Sequence, residues 1–144
     1  MMLSCSHTVR LYPVQGPLSV QKPLPVLVAK ITGFSSPKNI SAILSDGEVC
    51  KGVWNLVPQA KIKKGVNTTI ATTTNEMSSI WDTVYGPEFY VSHILGARYY
   101  ARAVASGNRG TVLNVELYSS GGESVDAIKG IAKDNQGNIY KLVF

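Results

Sequence analysis

The chain is poor in the residues that announce chemistry. It holds two cysteines and two histidines in 144 residues, and only 16% of its residues are charged. Cys5 and Cys50 form neither a CxxC pair nor a cluster with histidine, so the spacing of a zinc site is missing. The longest uncharged apolar run, Leu24 to Ala29, falls far short of the ~20 residues of a spanning helix. Thirteen glycines and seven prolines argue against a helical bundle, and 44% hydrophobic residues exclude a wholly disordered chain. A domain of this size buries ~68% of the surface of its unfolded chain, so one core can form without disulfides or a metal.

What is present is a series of strand-like runs separated by turn residues. Thr8 to Val14 alternates weakly before Pro13, Gly16 and Pro17, which reads as a short edge strand or a tether. Val26 to Thr32 is β-branched and apolar, and Gly33 to Lys38 breaks it. Asp46-Gly47 lies between Ile40–Leu44 and Val49–Trp54, the signature of a two-residue type I′ hairpin that sets Ile43 opposite Cys50. Cys50, Gly52 and Trp54 then share one face.

Residues 55–75, with Lys61, Lys63, Lys64 and a threonine tract, have no consistent apolar period and read as a surface loop. Met77, Ile80, Trp81 and Val84 have helical spacing, which predicts a helix over Glu76 to Tyr85 that stops at Gly86-Pro87. A second helical turn is expected within Glu88 to Leu95. Ala97–Ala105 and Thr111–Tyr118 flank a glycine-rich turn, with Leu113, Val115 and Leu117 on a buried face and Asn114 and Glu116 on a wet one. Ala127–Lys133 and Asn138–Phe144 form the last pair, through a loop of three or four residues. The expected fold is mainly β: a small antiparallel β-barrel or strongly curved sheet, with one or two short helices and one of them set against an opening.

Candidate chemistry is thin. A Cys50–His93 pair could make a thiol nucleophile, but Cys50 sits among apolar neighbours. Asp134-Asn135-Gln136-Gly137-Asn138 lacks the ligand alternation of a calcium loop and reads as a turn. No catalytic residue, metal ligand or cofactor site is assigned. The net charge of +5 is spread mostly over single lysines. Arg98, Tyr100 and Arg102 are the exception, since guanidinium groups beside an aromatic ring suit single-stranded nucleic acid, and this supplies an alternative function for a basic barrel.

Met2-Leu3-Ser4-Cys5-Ser6 resembles the end of a bacterial lipoprotein signal, in which an apolar pair and a small residue precede a cysteine. Larger stretches are similar to small β-rich lipoproteins of Gram-negative bacteria: Cys5 to Pro13, Asp46 to Gly52, Trp81 to Pro87, Gly107 to Thr111 and Lys133 to Tyr140. The resemblance implies that residues 1–6 are the end of a signal and the attachment segment, that 7–144 are the domain, and that Cys5 carries the lipid, palmitate included. It further implies the periplasmic face of the outer membrane, a non-catalytic structural or binding role, and the membrane and another envelope protein as partners. The other reading of Cys5 is an ordinary N-terminal cysteine in a cytosolic protein.

Overall fold

The structure, a computed structural model, describes residues 6–32, 39–56, 79–94, 99–119 and 128–144. Eight strands run antiparallel in chain order: β1 (Ser6–Gln15), β2 (Leu27–Thr32), β3 (Asn39–Ile43), β4 (Val49–Leu56), β5 (Tyr99–Gly107), β6 (Val112–Ser119), β7 (Ile128–Asp134) and β8 (Ile139–Val143). Each pairs with the next, and β1 pairs with β8, which closes the barrel. The segment expected as an edge strand or tether is therefore a ten-residue strand bonded on both sides. Pro13, which suggested an edge, sits beside an irregularity in the β1–β8 register, where a missing N–H is tolerated.

Alternate side chains point inward and fill the barrel. Val9, Leu11, Ile31, Ile40, Leu113 and Tyr140 are almost fully buried, and Trp54 joins the same core. Ala42, Ala101, Ala103, Ala105 and Ala132 face them, so large side chains interdigitate with small ones. At Gly52 even a methyl group would overlap the Val104 carbonyl, because β4 and β5 run very close there. The outward positions mix lysine and arginine with exposed valine and isoleucine, and the barrel interior is filled with apolar side chains. Among the described residues, no helix is long and apolar enough to cross a membrane.

Three tight hairpins lie at one end, and all have one form. Gly47, Gly110 and Gly137 each occupy the third loop position with φ near +90° (90°, 94° and 92°). In each, the residue before the loop donates its N–H to the carbonyl of the residue after it, as Leu44 does to Glu48 at 2.8 Å. This is a type I turn followed by a glycine bulge, a three-residue connection. The β3–β4 hairpin consequently differs from the type I′ expectation: Asp46 does not take positive φ, Ile43 lies opposite Val49, and Cys50 lies opposite Ala42. The last hairpin likewise has the shorter of its two expected loops.

Helix α1 (79–85) ends at Gly86, and a 3-10 turn (Pro17–Val20) and a π-helical turn (Tyr90–Ile94) are the other helical elements among the described residues. The start expected for α1 falls outside the described residues, as do 57–75 of the expected loop. Leu18 of the 3-10 turn packs on the interior core at the hairpin end. Helix α1 does not cover an opening. Ile80, Trp81, Tyr90 and Ile94 instead bury Tyr118 and Ile131 on the outside of β6 and β7, and Glu116, expected to be wet, lies beneath them.

Candidate interaction surface

Two buried carboxylates face the barrel interior at its hairpin end. Glu48 Oε1 accepts the Thr111 hydroxyl at 2.6 Å, while Oε2 accepts the N–H groups of Arg109 at 2.8 Å and Thr111 at 3.1 Å. The Thr111 hydroxyl bond does most to hold this carboxyl below its usual range, against burial, with the two backbone bonds and the Arg109 charge assisting. A side chain at Gly107 would overlap this carboxylate.

Asp134 Oδ1 accepts the N–H groups of Gln136 and Asn138, both at 2.9 Å, and Oδ2 accepts Asn138 Nδ2 at 2.9 Å and the Tyr140 hydroxyl at 2.7 Å. These four bonds occupy the carboxylate's acceptor sites and make the Asp134–Asn138 segment a self-satisfied turn. Burial pushes the Tyr140 phenol up, and its bond to Asp134 adds to the effect.

Cys50 is buried in the same interior, and burial followed by nearby carboxylates pushes its thiol up, away from the thiolate a nucleophile needs. His93 is exposed on the outside, stacked on Phe89 with ring centroids 4.4 Å apart. The fold does not bring these two residues together. Among the described residues, no three His, Cys, Asp or Glu side chains are grouped as a metal ion would require.

The third buried carboxylate, Glu116, is on the outer wall. Oε1 accepts the Trp81 indole N–H at 2.7 Å and Oε2 accepts Arg102 Nε at 2.8 Å. Nearby, the buried Tyr90 hydroxyl has no hydrogen-bond partner, and burial pushes it up to about 12, with the Glu116 charge adding and Arg102 opposing. The Tyr85 hydroxyl donates to the Gly130 carbonyl at 3.0 Å and accepts the Gly130 N–H at 3.3 Å, where the β7–β8 pairing ends. The Trp81–Glu116 and Tyr85–Gly130 bonds dock the helical segment to the barrel.

With its carboxylates buried, the wall itself is basic. Arg10, Lys30, Lys51, Arg102, Lys129, Lys133 and Lys141 all occupy outward strand positions, and Glu116 is the one outward strand carboxylate among the described residues. A shallow depression of about 370 Å³ between β4 and β5 is lined by Gly52, Val53, Asn55, Arg102, Ala103 and Val104.

Of the residues singled out from sequence, Cys5 and Arg98 lie outside the described residues. Tyr100 is placed by its backbone alone, opposite Tyr118 in the β5–β6 ladder. Arg102 carries its Nε on Glu116, so a phosphate would compete with a carboxylate already in place. The single lysines of the strands lie outward all round the barrel, as a solvated surface would have them, and what sequence reasoning missed is that Lys30 and Lys51 share one register row across β2 to β4. The signal was their placement at alternate positions of strands whose other positions are apolar. No protein-family model, no curated protein and no solved structure matches this chain.

Proposed function

We propose that this protein is a bacterial envelope lipoprotein, a non-catalytic structural or binding module tethered through acylated Cys5 at the periplasmic face of the outer membrane. The observation that carries the reading is the immediate succession of Cys5 and β1. Ser6 already pairs with Thr32 in the barrel, so a lipid on Cys5 would hold the domain directly at the leaflet with no linker between them. The three buried carboxylates support the non-catalytic part, because Glu48, Glu116 and Asp134 all hold structural hydrogen bonds. A closed barrel also offers no free strand edge, so a partner must recognise side chains on the wall or at an end.

The test is incorporation of labelled palmitate in a Gram-negative host, with the upstream reading frame included. Label on the wild-type chain that disappears with Cys5→Ala is expected. Absence of label, or label that survives the substitution, sinks the anchor. Nucleic-acid binding through Arg98, Tyr100 and Arg102 is the weaker reading, since Arg102 is already engaged by Glu116.

A further inference from the structure

We infer that the outer wall formed by β1 to β4 is a docking face for an anionic lipid surface. The inference takes its setting from the envelope reading, but its chemistry is the wall's own. Register places Arg10, Val28, Ile43 and Val49 in one row across four adjacent strands. Val28, Ile43 and Val49 remain 41%, 54% and 36% exposed although they lie side by side. The next row, two residues along each strand, is Thr8, Lys30, Ser41 and Lys51. An aliphatic row therefore runs beside a cationic one, separated by ~7 Å.

No acidic residue interrupts these rows. Glu48 points into the barrel, and Asp46, in the turn between β3 and β4, faces Arg109 at 3.7 Å. Arg10, Lys30 and Lys51 are exposed and take part in no ion pair among the described residues. The exposed cations have their charge complement in phosphate headgroups, and the aliphatic row suits the acyl boundary beneath them. Single-stranded nucleic acid fits less well, because the two rows hold no aromatic ring on which a base could stack. The β1 end that follows Cys5 lies one register row beyond Lys30, since Ser6 pairs with Thr32 and Thr8 with Lys30. Anchor and wall would thus meet the same leaflet, with the barrel lying on its side.

The test uses the full chain carrying Cys5→Ser, which cannot be acylated, in co-sedimentation with vesicles of phosphatidylcholine alone or with roughly one-third phosphatidylglycerol. Binding to the anionic vesicles that falls with salt is expected, and K30Q/K51Q weakens it about 25-fold, at roughly fivefold per cation. Ile43→Ser weakens the binding that remains at high salt, whereas the control pair K129Q/K133Q on the opposite wall has little effect. Failure of Cys5→Ser to bind anionic vesicles overturns the inference whatever the palmitate experiment shows. Equal losses from the two lysine pairs overturn it too, as does preference for polyglutamate or single-stranded DNA over vesicles. Vesicle binding by a chain that takes no palmitate would remove the anchor and leave the wall in place.

Discussion

The indole N–H of Trp81 reaches across to Oε1 of Glu116 at 2.7 Å, which fixes a helix from one part of the chain to the outer face of a distant strand. Trp81 is fully buried, stacks on Tyr85 and Phe89, and meets Tyr118 edge-on. The carboxylate works in two directions, since its other oxygen holds Arg102, whose side chain is 26% exposed. Glu116→Ala removes both bonds, so the buried Trp81 indole loses its acceptor and the partly buried Arg102 loses this carboxylate. A loss of about 2–3 kcal/mol is expected, read as a lower urea midpoint with an unchanged m-value. A loss below about 0.5 kcal/mol would show that the pair contributes little to docking.

Glu48 predicts a specific acid limb. Its folded-state carboxyl lies below its ordinary value of 4.5, so the stabilisation it provides is complete above that value and is lost as pH falls through the lower folded value. The urea midpoint of the wild-type chain should decline over that interval. Thr111→Val, which removes the hydroxyl bond chiefly responsible, should flatten the decline. Identical acid limbs in the two proteins would contradict the assignment.

Two tyrosines that dock the helices should respond oppositely to loss of a hydroxyl. Tyr85→Phe breaks the bonds to the Gly130 carbonyl and N–H and is expected to cost about 1 kcal/mol. Tyr90→Phe removes a buried hydroxyl that bonds to nothing, so it is expected to be neutral or stabilising by up to about 1 kcal/mol. Thermal and urea unfolding of both variants reads the contrast. Burial pushes both phenols up to about 12. Their raised folded values give stability that is complete below the ordinary value of 10 and lost as pH rises from 10 towards 12.

Gly52 and Gly47 separate two reasons for glycine. A side chain at Gly52 would overlap the Val104 carbonyl and crowd the Ala105 backbone, which cannot swing aside, so Gly52→Ala is expected to cost more than about 3 kcal/mol. Gly47 has open space around it but a φ of +90°, so Gly47→Ala carries backbone strain alone, about 1 kcal/mol. Similar losses from both would show that the β4–β5 spacing can relax.

Most strands were legible because apolar alternation and turn residues are local properties. Leu113, Val115 and Leu117 read as an inward face and are one. The errors arose where a distant element decides. Asp46-Gly47 fits a two-residue loop in composition, yet the bond from Leu44 to Glu48 makes Gly47 a third loop residue and shifts the register by one. Pro13 marks an edge only if no strand lies beside it, and its neighbour Tyr140 belongs to the far end of the chain.

The outer wall was harder to read. Glu116 looks like a solvated position in any local window, and only the arrival of Trp81 buries it. Scattered single lysines read as a solvated surface and do face outward around the barrel, whereas the common row of Lys30 and Lys51 depends on the mutual register of β2, β3 and β4.

The seam between β1 and β8 has a consequence for how the molecule is made. Every other strand pairing joins neighbours in sequence, whereas this one unites Arg10 with Val143. Until those two strands meet, each presents a row of unpaired backbone groups, and a second chain could supply the missing pair as readily as the proper partner. Closing the ring is thus the step of greatest sequence separation, and it is also the step that removes the strand edges by which one copy could pair with another.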